Sequence, residues 1–406
     1  MTASTQAAAP VSAARVILIC ALVGFLDGFD TQALSPTAKH IAASLGFPIQ
    51  DLGLIFSASQ IGFLLGALLL GPMGDRFGRK RILLITVVMF SLCSLATAFA
   101  PSYEALFVIR VLGGIGLGGA TPNFVSLASE YAPPAKRDRI VTMMWAAVPL
   151  GGMVAALTAG QLMDSAGWRS VFYIGGVAPL LLVPVMVRFL PESRETGKVA
   201  ATRATGGTAD ALFARGRWQG TMWLWLASFG GWMSLIVTIF WTPTLLAGAG
   251  HASGVATSML ALHNVGAITG TLALGALMGR LKPLTALCLA LSGSALAILS
   301  MGLSIDTVAT LSVATLAAGF FGSAGAGALI AVSSGLYPSA IRATGVGFAL
   351  GAGRIGGFLG PLLTGLVVAL AWPATTTYLA IAVPAAIAAL AVLMLARWRA
   401  ANPSEN

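Results

Sequence analysis

Apolar residues run in long blocks along almost the whole 406-residue chain, broken by short polar segments. Each block reaches about 20 residues, the length that carries a helix across the roughly 30 Å hydrocarbon core of a bilayer. Twelve blocks are read, at 16–36, 52–72, 82–100, 104–128, 140–162, 169–190, 219–246, 254–279, 284–304, 307–331, 343–370 and 374–396. The pattern predicts an all-α polytopic membrane protein of twelve transmembrane helices.

The polar segments divide the chain. Residues 1–14 are mostly Ala, Ser, Thr and Pro, and are expected to be a disordered tail. Arg15 is the only charge before the first span and Asp27 lies within it, so a cleaved signal peptide is not expected. The longest polar stretch, 191–218, is read as a linker between six-helix halves at 15–190 and 219–397, with a second tail at 398–406. The halves echo each other. Gly71 and Arg76 correspond to Gly275 and Arg280 at an offset of 204. Pro133, Arg137, Gly151, Gly152 and Gly160 correspond to Pro338, Arg342, Gly356, Gly357 and Gly365 at an offset of 205. A six-span repeat predicts pseudo-symmetric halves with a substrate site at their interface, near the midplane.

Composition strengthens this picture. Hydrophobic residues make up 57% and charged residues only 9%, against about 25% charged in soluble domains; the lipid bilayer is thus the first partner. Charge placement then sets orientation. Of the 23 basic residues, nineteen fall on one side of the predicted topology: Arg15, Arg76, Arg79, Lys80, Arg81, Lys136, Arg137, Arg139, Arg188, Arg194, Lys198, Arg203, Arg215, Arg217, Arg280, Lys282, Arg342, Arg397 and Arg399. Lys39 and Arg169 fall on the other side, and Arg110 and Arg354 within spans. The positive-inside rule puts that side, and both termini, in the cytoplasm of a bacterial-type inner membrane. The net charge of +10 therefore reports topology. Nucleic acid is not an expected partner, because no soluble face carries the basic residues.

Four ionisable residues lie deep in the spans, where charge is costly and marks a pathway. Asp27 is twelve residues beyond Arg15, about 18 Å deep, and Asp30 stands one helical turn further. Arg354 is twelve residues beyond Arg342, again about 18 Å. Arg110, counted from Pro101 on the opposite side, reaches a similar level. His263 and Asn264 of the eighth span lie near the same depth. With all four charges ionised the set is neutral. A monovalent anion would leave one excess negative charge, and one proton on an aspartate would restore neutrality. The arithmetic points to proton–anion symport. The same residues would also serve as an ion-pair network that orients helices, with Asp27 paired to Arg110, or, for Asp30, as a position near the outer mouth. A lone histidine on an apolar helix, such as His263, is more often a hydrogen-bonded core residue than a site.

Aromatic residues add a candidate surface. Trp232 of the seventh span is too deep for an interfacial belt, and at an offset of 205 it is the repeat counterpart of Asp27. A buried Trp can stack on an aromatic ring, or pack in the core. Trp145 and Phe358 are weaker candidates of the same kind. The three cysteines have no pairing pattern, and no Cys or His spacing resembles a metal site. The Gly-rich run at 113–119 lacks the Lys-Ser/Thr of a phosphate-binding loop and reads as close helix packing through small residues. No cofactor motif and no nucleophile–base pairing is seen, so an enzyme is not expected.

A basic turn, Gly71-Pro-Met-Gly-Asp-Arg-Phe-Gly-Arg-Lys-Arg81, joins spans two and three. Gly71, Asp75, Arg76, Gly78, Arg79 and Arg81 match the loop that the major facilitator superfamily carries there. The chain also resembles that superfamily's aromatic acid:proton symporters, through Asp27-Gly-Phe-Asp30 and the run from Arg110 through Gly-Gly-Ile-Gly-Leu-Gly-Gly-Ala-Thr-Pro to Asn123. Glu130 and Leu190-Pro-Glu-Ser193 follow as in that family. In the second half Gly270–Met278, Ile341–Gly347, Gly353–Gly356 and Gly360–Leu363 are most similar to the 3-(3-hydroxyphenyl)propionate transporter subgroup. Two departures stand out: Gly279-Arg280 lacks the acid that the subgroup carries after its Gly-Ala-Leu-Met, and His263-Asn264 replaces a different polar residue.

The resemblance implies the major facilitator fold, with helices 1, 4 and 11 facing a central cavity and the monomer as default state. It implies a small aromatic carboxylate and protons as cargo, carried inward by alternating access. Asp27 and Asp30 would then be coupling carboxylates. Arg110 would pair with helix 1 or meet the anion, and Arg354 would contact the carboxylate. Asp75, Arg76, Arg79 and Glu130 would form the cytoplasmic gate. An exporter of drugs or metabolites, or an importer of a non-aromatic anion, is the alternative. The paired Arg110 and Arg354 favour anionic cargo over cationic drugs. A membrane sensor would need a soluble module longer than 191–218.

Overall fold

The computed structural model describes residues 12–193, 212–213, 217–277, 280–338 and 341–402, without the side chains of residues 138 and 343. Arg194, Lys198, Arg203 and Arg215 of the basic side, Gly279, and most of the segment read as a linker lie outside the described residues. Twelve long helices are present among them: α1 (Ala13–Leu45), α2 (Leu52–Phe77), α3 (Arg79–Ala98), α4 (Tyr103–Tyr131), α5 (Arg137–Ala166), α6 (Arg169–Phe189), α7 (Trp218–Gly248), α8 (Ser253–Leu277), α9 (Pro283–Leu303), α10 (Val308–Leu336), α11 (Arg342–Ala369) and α12 (Ala374–Ala401). Eleven of them are long and apolar enough to cross a membrane. The exception is α1, whose 33 residues carry Arg15, Asp27, Asp30 and Lys39. Helix α1 starts two residues before the predicted boundary at 15, and α12 runs four residues past the one at 397.

Backbone groups in lipid must be satisfied within the element, which is why helices dominate. Sharp turns join them where glycine allows it. Gly78, between α2 and α3, sits at φ +103°, and Gly46, after α1, at φ +73°. An even number of crossings brings the first and last described helices to the same end of the bundle, called here the terminal end.

The repeat is visible in the packing. A Cβ added to Gly53 of α2 would lie 3.1 Å from the Cα of Gly365 on α11, and one added to Gly160 of α5 would lie 2.7 Å from Thr257 Oγ1 on α8. Gly53 and Thr257 differ by 204, Gly160 and Gly365 by 205, so the two contacts are images of each other. On the axis between the halves, Ser35 Oγ of α1 donates to the carbonyl of its own counterpart, Phe240 of α7, at 3.1 Å, and to that of Ile239 at 2.7 Å.

The apolar core shows which end is shut. Away from the termini, one cluster takes Phe29, Ile41 and Phe56 from the first half and Phe240, Trp241 and Met259 from the second. Toward the terminal end the core splits. One cluster there contains only residues between Val16 and Leu190, another only residues between Leu212 and Trp398. Gly347 and Gly351, on the terminal side of Arg354 along α11, have nothing within 4 Å of an added Cβ. The halves share one apolar core at the far end and have separate cores toward the termini, where α5 and α8 still meet at Thr142 and Gly275.

Candidate substrate and coupling site

The glycines of α2 and α4 set the site's geometry. A Cβ on Gly114 or Gly118 of α4 would run into the backbone of Ser59 or Phe63 of α2, and one on Gly62 into Val111. The two helices therefore touch backbone to backbone. This brings Arg110, one turn before Gly114, against α2. Its Nε donates to Ser59 Oγ at 3.2 Å. Its Nη2 lies 3.6 Å from Asp30 Oδ2, and both side chains are 1% exposed. At that separation the ion pair is present without a hydrogen bond between those two atoms, and both Asp30 oxygens are buried with no hydrogen-bond partner.

Asp27 takes different partners. Thr121 Oγ1 of α4 donates to its Oδ2 at 2.9 Å, and Thr31 Oγ1, one turn along α1, to its Oδ1 at 3.3 Å. The alternative in which Asp27 pairs with Arg110 is thus not the one formed: Arg110 pairs with Asp30, also of α1. The reason is helix direction. Helix α1 runs away from the terminal end and α4 runs back, so Asp30, the deeper carboxylate on α1, meets Arg110, while Asp27 meets Thr121 later on α4. Asp30 is 1% exposed.

The second half supplies Arg354. Its guanidinium carbon lies 4.1 Å from the ring centroid of Phe63 on α2 and 4.5 Å from that of Trp232 on α7. The cation is held between one aromatic ring from each half, an arrangement that attracts through the ring quadrupoles. Trp232 reaches it because Gly353 leaves room beside the indole. Nearby, Asn264 of α8 and Gln32 of α1 exchange two hydrogen bonds: Gln32 Nε2 to Asn264 Oδ1 at 3.0 Å and Asn264 Nδ2 to Gln32 Oε1 at 2.8 Å. His263 is 2% exposed, and both ring nitrogens lack partners.

The basic turn forms a second cluster at the terminal end. Arg79 bonds Asp75 Oδ1 through Nη2 at 3.0 Å and Nε at 3.2 Å, and its Nη1 contacts Glu130. Ser193 Oγ lies 2.9 Å from both Glu130 oxygens. Glu192 Oε1 accepts from the backbone N–H of Lys80, at the start of α3. Arg76 is exposed and lies over the Phe77 ring. The structure thus joins Asp75, Arg79 and Glu130 and leaves Arg76 outside their network.

Sequence reasoning missed Gln32, Ser59, Phe63 and Thr121. Gln32 carried a signal, a long amide inside an apolar span. Phe63 and the two hydroxyls carried none, since such residues are common on any membrane helix.

The profile described as Major Facilitator Superfamily matches residues 20–311. The chain belongs to the Major Facilitator Superfamily. It is 39% identical over 387 residues to the 3-(3-hydroxy-phenyl)propionate transporter of Escherichia coli (strain K12), covering 95% of each chain. It is 35% identical to the gallate transporter of Pseudomonas putida, over 93% of this chain and 90% of that one. It is 32% identical to the 4-hydroxybenzoate transporter PcaK of the same organism, over 94% and 92%. The fold matches that of a D-xylose-proton symporter with TM-score 0.78 at 21% identity, covering 94% of this chain and 96% of that one. It also matches a bacterial homolog of the human lysosomal transporter Spinster, in an inward-facing and unoccupied conformation, with TM-score 0.75 at 20% identity, covering 96% and 98%. This superfamily member is an integral membrane transporter and not an enzyme.

Proposed function

We propose that this transporter imports a small aromatic carboxylic acid, such as a hydroxyphenylpropionate or hydroxybenzoate, together with protons. One observation carries the reading. A cation held between two aromatic rings, Arg354 with Phe63 and Trp232, accompanies two buried aspartates, Asp27 and Asp30. A guanidinium binds a carboxylate bidentately, and the flanking rings offer faces on which an aromatic ring stacks. Relatives whose names specify hydroxyphenylpropionate, gallate and 4-hydroxybenzoate support the same class of cargo.

The mechanism follows from the charges. Asp27, held by two hydroxyl donors, carries the coupling proton, and Asp30 with Arg110 holds α1 against α4. The anion's arrival at Arg354 leaves an excess negative charge that favours protonation of a carboxylate. The halves then rock about the site. His263 and the Gln32–Asn264 pair contribute polar groups for ring substituents. Asp75, Arg79 and Glu130 hold the terminal-end helices as a gate, with Arg76 at its surface. With the basic residues facing the cytoplasm, the end with separate cores faces inward, and the working unit is the monomer.

The test is substrate-dependent proton uptake in lightly buffered cells expressing the protein. The panel is 3-(3-hydroxyphenyl)propionate, 4-hydroxybenzoate, protocatechuate, gallate, benzoate and an aliphatic acid. Alkalinisation with one aromatic acid, lost in Asp27→Asn, supports symport. Silence across the panel, with the protein confirmed in the membrane, rejects it.

A further inference from the structure

The far end of the molecule holds a cavity that the substrate site does not use. It is enclosed by Lys39 and His40 of α1, Met163 of α5, Thr244 of α7, and Ser253 and Thr257 in the first turn of α8. Its volume of about 20 Å³ admits one water at most. Lys39 lies nine residues beyond Asp30 on α1, roughly 13 Å along the helix.

The chemistry of the lining is one-sided. Lys39 is exposed and brings an ammonium. His40 Nδ1 is buried without a hydrogen-bond partner. Thr244 is 6% exposed and its Oγ1 is likewise buried without a partner. The first turn of the 25-residue α8 adds the positive end of a helix dipole. No Asp or Glu lines the cavity; Asp164, next to Met163 in sequence, is exposed and not part of the lining. A buried polar group left unpaired costs roughly 1–3 kcal/mol, and two such groups line this one small space: a hydroxyl that can donate and an imidazole nitrogen that donates when it carries the proton.

The walls come from both halves: α1 and α5 from the first, α7 and α8 from the second. When the halves part at the far end, this space must widen into the mouth of the opened cleft. We propose that Lys39, His40 and Thr244, with the N-terminus of α8, form a capture site for the cargo's carboxylate at the outer mouth, distinct from Arg354. The anion is drawn by Lys39, replaces part of its hydration with the Thr244 hydroxyl and the His40 Nδ1–H, and then passes inward. Closure squeezes the site to the water-sized remnant seen here. This inference rests on the reading of an imported carboxylate.

The experiment uses purified protein in liposomes, with initial uptake rates measured from the far side and exchange measured from the terminal side. Lys39→Gln and Thr244→Val are each expected to raise the far-side KM about 3- to 10-fold, the size of a modest electrostatic steering effect. The maximal rate and the terminal-side KM should stay within twofold. Lys39→Arg should retain the wild-type KM, and 0.5 M salt should erase the Lys39→Gln difference by screening, the Debye length being about 10 Å at 0.1 M and shorter above it. Unchanged far-side KM values in both variants would overturn the capture site while leaving the transport reading intact. An effect seen only in vesicles with anionic lipid would also overturn it, because the site would then hold a headgroup. If the wild-type protein carries no aromatic acid, the functional reading falls first, and the capture site with it.

Discussion

Asp30 and Arg110 show how much depends on a single buried pair. Each is 1% exposed, and the charged atoms stand 3.6 Å apart. Removing one partner strands the other charge, which costs about 3–5 kcal/mol. Arg110→Leu is therefore expected to lower the thermal midpoint in detergent sharply, and Asp30→Asn combined with Arg110→Gln to recover much of it. A double variant no more stable than Arg110→Leu would show that the pair is not what the single change removed. Arg354 is a different case, because rings hold it and no carboxylate is seen to bond it. Arg354→Lys keeps the charge but loses the planar fork and its stacking. It should raise KM at least tenfold while leaving the folded yield near wild type. A wild-type KM in Arg354→Lys would place the anion elsewhere.

At the scale of elements, glycine decides which helices touch. A Cβ at Gly118 meets the backbone of Phe63, which cannot swing aside as a side-chain tip would. Gly118→Ala is expected to cost about 1–3 kcal/mol, as overpacking does. It should also weaken transport, because Phe63 and Arg110 both take their places from this crossing. Gly347→Ala, on an open stretch of α11, is the matched control and should be neutral in both thermal midpoint and uptake. Equal losses in the two variants would mean that the loss does not come from this crossing, because Ala is the better helix former at both sites. The sequence announced this crossing as a glycine run, since small residues at that spacing have few other uses within a span. It could not say which helix would be met, because a run of glycines specifies closeness and no partner.

For the whole molecule the informative fact is an asymmetry between its ends. One apolar cluster joins the halves at the far end, whereas two separate clusters stand apart toward the termini. Alternating access requires the far-end contacts to break in each cycle. Cysteines at Ser35 and Phe240, placed where α1 meets α7, should therefore be joined by a short thiol cross-linker and arrest transport. The background would lack Cys20, Cys93 and Cys288. Cleavage of the cross-link should restore activity. Continued transport by the fully cross-linked protein would mean that these helices do not separate.

By itself, the sequence determined the number of spans, the repeat, the basic turn and the placing of Asp27, Asp30, Arg110 and Arg354 inside spans. Those follow from distance along a helix and from the cost of charge in lipid, both of which are local. It also marked Asp75, Arg79 and Glu130, through residues close to the helix ends. Which charge meets which was decided by the tertiary structure alone. Asp27 and Asp30 stand one turn apart on one helix, and only the antiparallel run of α4, pinned by its glycines to α2, sends Arg110 to Asp30 and Thr121 to Asp27. The aromatic clasp on Arg354 is of the same kind: Phe63 and Trp232 come from opposite halves and lie far from it in sequence. Spacing along the chain fixes height in the membrane, whereas azimuth and partner are fixed only when helices pack.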